Sequence, residues 1–411
     1  MRDVKRLGGH GIKVTGTRRW IAGNVLAGAA IIVGGLIFGF AGGAGTGQSA
    51  GPKTRPPRGL PSGSRARSIG RGVLDGRIPN LFFVYSAAPM RVIVASSHGV
   101  LATTNGGERW RDVTPRQWAR EAFLVSHVDD IASIGNRIWL APVGSQPLDF
   151  IPYTDNGGFT WRIARLPGNP LVTGSLSFWN ITDGRVLGEA NDGRTYIFQT
   201  ANGGRSWTRL RSLSGELTGA PVRFTSARSG WSWNDRGVLT HTTDGGRIWS
   251  RVKPPRISRY RAYIAPARGD YREWVWVPTF PAKGDVVEPG LVRGAGGERR
   301  TVFYASRNGG ASFTARLAPS GSGDPGTAYA ASANDWYVTS GNELSRTTNA
   351  GKSWTKARVQ TPTHTPIDLI DSLSSTIGWA ETTLKIGYFY PTLLLHTANG
   401  GRTWQTADMK R

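Results

Sequence analysis

Catalysis needs particular side chains at particular spacings, and this chain of 411 residues offers few of them. It has no Cys, which excludes disulfides and thiolate metal sites. Its six His follow no His-Glu-x-x-His or comparable ligand spacing, so neither a metal nor a cofactor is expected. Asp129 and Asp130 are adjacent and would face opposite sides of a strand, which rules them out as the paired carboxylates of a glycosidase. Phosphate loops, nucleophile elbows and dinucleotide fingerprints are absent. What the chain has in excess is Arg and aromatic residues: 51 Lys plus Arg against 27 Asp plus Glu, a net charge of +24, and 16 Trp. Such side chains grip anions, stack on sugars and anchor protein interfaces. Binding is therefore the expected chemistry. The charge alone does not choose among nucleic acid, anionic lipid and acidic wall polymers, and no specific nucleic-acid partner is expected.

The elements that would carry such a surface begin with a basic leader. Residues 1–77 hold 13 Lys plus Arg against Asp3 and Asp75. Within them, 20–40 read WIAGNVLAGAAIIVGGLIFGF without a charge, long enough at about 1.5 Å per residue to cross a hydrocarbon core of roughly 30 Å. Arg2, Lys5, Arg6, Lys13, Arg18 and Arg19 precede it, and the first basic residue after it is Lys53. The positive-inside rule then predicts a cytoplasmic tail over 1–19, an uncleaved single-pass anchor over 20–40 and an extracytoplasmic remainder. A cleaved signal peptide is the competing reading, with an apolar region usually shorter than this one. Residues 41–76, rich in Gly, Pro, Ser and Arg, cannot bury enough apolar surface to order themselves and are expected to be a flexible linker.

From 77 to 411 one short pattern recurs seven times: TTNGGERW (103–110), TDNGGFTW (154–161), TANGGRSW (200–207), TTDGGRIW (242–249), SRNGGASF (306–313), TTNAGKSW (347–354) and TANGGRTW (397–404). The chemistry is that of a tight turn between strands. Asn105, Asn156, Asn202, Asp244, Asn308, Asn349 and Asn399 can bond backbone N–H groups, and Gly supplies the positive φ. Trp110, Trp161, Trp207, Trp249, Phe313, Trp354 and Trp404 would pack over the turn. Alternating segments such as 81–86, 91–96, 136–142, 229–233, 335–340 and 377–381 lie upstream of these turns, and Trp139, Trp231, Trp336 and Trp379 recur within them as expected inter-blade core. Successive turn aromatics are 41 to 64 residues apart, the period of a propeller blade.

The pattern resembles the Asp-box, or BNR repeat, of sialidases, sortilin-type receptor ectodomains and photosystem II assembly-factor-like propellers. The resemblance implies an all-β, seven-bladed propeller over 77–411, each box joining the third and fourth strands of a blade. Ring closure is expected from packing of blade one on blade seven. Three insertions, at 143–153, 278–300 and 385–391, are read as loops between second and third strands, on the face opposite the boxes. Those loops and the linkers between blades supply the expected rim for a protein or glycan partner: Gln146, Asp149, Phe150, Lys283, Asp285, Glu288, Arg293, Lys385, Tyr388, Tyr390, Arg116, Trp118, Arg120, Arg256 and Arg259. Arg77-Ile78-Pro79 looks like the Arg-Ile-Pro element that opens sialidase catalytic domains, which makes Arg77 the one catalytic candidate. No Asp or Glu lies between Ile78 and Glu108, where that family places its acid. The expectation is a membrane-anchored binding or assembly module, with a sialidase-like exo-glycosidase as the alternative and a non-catalytic glycan or wall-polymer binder as the second.

Overall fold

The computed structural model describes residues 77–409 apart from 79–80, 89, 97–98, 117–124, 145–147, 214, 218, 234–237, 263–276, 322–324, 363, 384–391 and 408. The anchor and linker expected at 20–40 and 41–76 fall outside these residues. Among the described residues, no helix is long and apolar enough to cross a membrane.

The described chain folds into seven antiparallel sheets, one per blade, as a seven-bladed propeller. Blade one comprises Leu81–Ala88, Arg91–Ser96, Gly99–Thr103 and Arg111–Asp112; blade two comprises Val125–Ile134, Arg137–Gly144, Phe150–Thr154 and Arg162–Arg165. In blade three the innermost position is split between Leu171–Val172 and Ser177–Phe178, followed by Gly184–Glu189, Thr195–Thr200 and Thr208–Ser212. Blade four runs Val222–Phe224, Gly230–Trp233, Leu239–Thr242 and Ser250–Arg251. Blade five runs Tyr260–Ala262, Val286–Gly294, Arg299–Ser306 and Thr314–Leu317. Blade six runs Pro325–Ala330, Trp336–Ser340, Glu343–Thr347 and Thr355–Arg358; blade seven runs Leu369–Leu373, Gly378–Thr383, Thr392–Thr397 and Gln405–Thr406.

Each of the seven repeats turns the chain from third to fourth strand with the same three bonds. In blade one the Thr103 hydroxyl donates to Asn105 Oδ1 at 2.9 Å and accepts from Gly107 N–H at 3.0 Å, while Asn105 Oδ1 accepts from Arg109 N–H at 3.1 Å. The corners that begin at Thr154, Thr200, Thr242, Ser306, Thr347 and Thr397 reproduce this pattern. The next residue's N–H, from Gly106 to Gly400, bonds the carbonyl of the same blade's turn between first and second strands, at 2.7 to 3.0 Å. These bonds set the corners and the first turns on one face of the ring. Connections between second and third strands, and between blades, occupy the other.

The core lies between blades. Trp139, Trp231, Trp336 and Trp379 are at most 1% exposed, as their recurrence predicts. Trp139 reaches across a seam to donate its indole N–H to Gly203 O at 2.9 Å. At Gly310, whose φ is +88°, a Cβ would stand 2.3 Å from Trp231, so the corner of blade five must be glycine for the tryptophan of blade four to fit.

Ring closure differs from the expectation. Arg77 and Ile78 pair with Leu393 and Thr392 on the outer edge of blade seven, beside the C-terminal Gln405–Thr406, which pairs with His396 and Leu395. The last strand is too short to cover the edge of Thr392–Thr397, and the N-terminal segment takes the backbone groups it leaves. Blade seven is therefore shared by both ends of the described chain. Direct packing contributes as well, through an edge-to-face pair of Trp110 and Trp379 at 5.6 Å.

Candidate functional site

The structure divides the sequence-predicted rim. Phe150 begins the third strand of blade two and is 5% exposed, in the core between blades one and two; alternation carries it inward, so it is not a rim residue. The loop read as 143–153 is correspondingly short, since strands occupy both of its ends. Asp149 lies in that loop and is ion-paired with Arg165. Arg116 is exposed on the linker to blade two. Gln146, Trp118, Arg120, Lys385, Tyr388 and Tyr390 lie outside the described residues.

The segment 278–300 is the larger correction. Most of it is a hairpin: Val286–Gly294 is the second strand of blade five, a tight turn spans 295–298, and Arg299 opens the third. The insertion instead precedes the second strand, so exposed Lys283 and half-buried Asp285 sit on the corner face, where Gly309 N–H of the corner bonds Gly284 O at 2.8 Å. Glu288 is buried mid-strand opposite Tyr304. Burial pushes its carboxyl up to about 8. Of the four residues expected on this loop, Arg293 alone is exposed on the loop face.

Arg293 has company that the sequence reading missed. It stands directly opposite Arg261 on the first strand and Arg299 on the third. Cross-strand partners share a sheet face, so three exposed arginines form a ladder with steps of about 5 Å across the loop-face end of blade five. Like charges placed opposite one another oppose pairing of the strands. Exposed Arg251 ends the last strand of blade four, and the linker entering blade five adds exposed Lys253 together with Arg256 and Arg259, both expected on the rim. Arg259 is held at φ +69°, a left-handed conformation costing a bulky residue about 1 kcal/mol or more. Arg300, one step along, is committed elsewhere, donating to Ala318 O and to the Tyr260 hydroxyl. The one acid in the hairpin turn is Glu298, whose carboxylate occupies the space a side chain at Gly294 would need. A hairpin signal was present in the sequence, since Arg293 and Arg299 flank Gly-Ala-Gly-Gly-Glu symmetrically. Arg261 was not accessible in that way, because a long insertion separates it from its partner.

Of the acids nearer the axis, Asp130 is structural in its contacts. Asp130 accepts Ile131 N–H and Leu176 N–H, both at 2.8 Å, tying the innermost strand of blade two to blade three. Burial, working against the pull of Arg223, pushes its carboxyl up to about 6. In blade seven Asp371 and Glu381 are raised well above the usual carboxylate range, chiefly by burial, with Glu381 repelling Asp371 and Asp368 repelling Glu381. Asp371 Oδ2 and Glu381 Oε1 are sealed without a hydrogen-bond partner. Among the described residues, no group of three His, Asp or Glu is placed to hold a metal ion. Arg77, the catalytic candidate, has its backbone on the outer edge of blade seven, three strand spacings or roughly 14 Å from the innermost strand. That position does not put it at the mouth of a central channel.

With this geometry in view, the chain can be set beside known proteins. No family model matches it. No curated protein matches it either. Among solved structures it is similar to YCF48 from Cyanidioschyzon merolae, at 17% identity and a TM-score of 0.46, over 79% of this chain and 98% of that one. A structure of YCF48 bound to D1 peptide gives 13% identity and a TM-score of 0.45, over 79% and 95%. The GH74 xyloglucanase from Xanthomonas campestris gives 11% identity and a TM-score of 0.29, over 78% and 63%.

Proposed function

We propose that this propeller is a non-catalytic binding module whose loop face, at blades four and five, grips an acidic segment of a protein partner. The corners are assigned to the Asp-box type and given a purely structural role. Residues 20–40 are assigned as the anchor that holds the chain at a membrane, with 1–19 in the cytoplasm, 41–76 as the tether and the propeller outside. The observation that carries the binding reading is the ladder of Arg261, Arg293 and Arg299. Three exposed arginines set side by side at strand spacing suit carboxylates presented along an extended peptide. YCF48 has been captured with a D1 peptide; for this chain a peptide ligand is our proposal and rests on the ladder. The backbone of Arg77, the residue that suggested a sialidase-like activity, runs along the outer edge of blade seven, which favours the binding reading.

The test is titration of the full chain in detergent with a fluorescent peptide of alternating Glu and Leu. Binding that weakens as salt rises, and about tenfold on Arg293→Glu, is the expected result. Equal affinity for a peptide with Lys in place of Glu, or an unaffected Arg293→Glu variant that retains its Tm, overturns the reading.

A further inference from the structure

The corner face carries a second surface, of different chemistry. Five large apolar side chains are exposed among the described residues, and four of them belong to this face: Met90 at 44%, Phe159 at 71%, Ile181 at 48% and Ile248 at 68%. Single exposed apolar residues need no explanation. Here, however, they fall on successive blades one to four, and the corners do not require them.

The repeats themselves show that they are dispensable to the turn. At the position of Ile248 five other corners carry Ser or Thr, whose hydroxyl accepts from the Asn side-chain amide in all five, as in Asn202 to Ser206 at 2.8 Å. In blade four the Asn is Asp244, which has no amide to satisfy, so the hydroxyl is not needed. Its replacement by Ile gives the corner nothing in return. Ile248 is nonetheless rigidly presented, its N–H bonded to Asp244 Oδ1 at 3.0 Å. Phe159 stands where other corners carry Arg, Lys, Glu or Ala, and its ring is held under the Arg111 guanidinium at 3.7 Å.

Between Phe159 and Ile181 lies a net positive network. Asp155 faces Arg137 at 3.3 Å, Arg162 at 3.3 Å and Arg205 at 3.6 Å, one carboxylate for three guanidiniums. Arg137 also donates to Ile181 O at 2.6 Å, which fastens Ile181 to the cluster. Exposed Arg247 stands beside Ile248. Apolar tips held rigidly among guanidiniums that outnumber the carboxylates Asp155, Asp183 and Asp244 match the boundary between anionic headgroups and acyl chains.

We propose that the corner face of blades two to four seats on an anionic lipid bilayer, with Phe159, Ile181 and Ile248 entering the headgroup boundary while Arg205 and Arg247 meet lipid phosphates. The arginine ladder of blade five, at the opposite end of its strands, then points away from the membrane. This inference rests on the corner face and does not require the anchor at 20–40.

The chain has no Cys, so single-cysteine probes need no background removal. The full chain carrying Ile248→Cys, or Arg194→Cys on the loop face, is labelled with an environment-sensitive fluorophore. Each is reconstituted in vesicles of phosphatidylcholine alone or mixed with phosphatidylglycerol. The expected result is a blue shift and quenching by spin-labelled lipid at 248 only with phosphatidylglycerol, and neither change at 194. Adding Arg205→Glu and Arg247→Glu should weaken the phosphatidylglycerol dependence roughly fivefold per charge removed. Phe159→Ser with Ile181→Ser should abolish the quenching without altering the circular dichroism. A chain that stays with the vesicles while 248 remains in water overturns the docking and leaves the anchor standing. Recruitment to anionic vesicles alone, with the shift at 248, supports the docking and sinks the anchor. A shift at 194 equal to that at 248 overturns the docking.

Discussion

The two ends of each blade are built on different principles. At the corner end seven copies of one eight-residue turn satisfy their own polar groups, so each end is specified locally and repeats almost without variation. At the loop end only a backbone bond recurs, from just past the fourth strand to the start of the third, as Val113 N–H to Val100 O, and the connections differ: blade six turns from second to third strand over two residues, Gly341 and Asn342, whereas blade five brings three arginines into one row. A propeller can therefore hold its ring together on one face and leave the other free to diverge. The exposed apolar tips of blades two and four follow the same logic within the corner face. They occupy positions whose side chains their own corners do not use, Ile248 because Asp244 lacks the amide that a hydroxyl accepts from in five other corners.

The largest effect should come from breaking what both ends share. Trp139→Ala removes a buried indole from the seam between blades two and three, together with its bond to Gly203 O. It should cost about 3 to 5 kcal/mol, read as a fall in the midpoint of chemical denaturation. Loss confined to blades two and three, with the other seams still protected in hydrogen exchange, would show that the blades are less coupled than a closed ring requires.

The pH dependence sharpens the comparison within blade five. Glu288 has its carboxyl raised from 4.5 to about 8 by burial. The folded chain thus holds a proton that the unfolded chain releases, and stability falls as pH rises through that window, by up to about 1.4 kcal/mol per pH unit from this group. The contribution is fully present below about pH 4.5 and gone above about 8. Asp130, raised from 3.8 to about 6, adds loss of the same sign at lower pH. Glu288→Gln should flatten the profile between pH 6 and 8 and raise the Tm at pH 9. An unchanged slope would mean that this carboxyl is solvated.

The smallest effect has opposite signs in stability and binding. Arg259→Gly relieves a left-handed backbone, so it should stabilise by roughly 1 kcal/mol while weakening the acidic peptide. Weakening without stabilisation would mean that the strain is absorbed by the turn at 258–259.

Much of the architecture was legible because its chemistry is short-range. The hydroxyl of Thr154, the side chain of Asn156 and the glycines at 157 and 158 meet within five residues, and a buried Trp recurs on the second strands of blades two, four, six and seven. The candidate sites were less legible. Phe150 looked like a loop aromatic because its strand begins at 150, within the stretch 143–153 read as a loop, and its burial depends on packing from blade one. Segment 278–300 looked like a single long loop because its hairpin turn is rich in glycine, as linkers are.

By itself the sequence determined the number of blades, the turn that closes each one and the tryptophans that fill the seams, since every one of these is written in residues a few positions apart. Only the tertiary structure decided that Arg77 and Ile78 complete blade seven, that Lys283 lies with the corners, and that Arg261 joins Arg293 and Arg299 in one row. The reason is register: backbone hydrogen bonds set which distant residues stand side by side, and they are indifferent to the side chains they align.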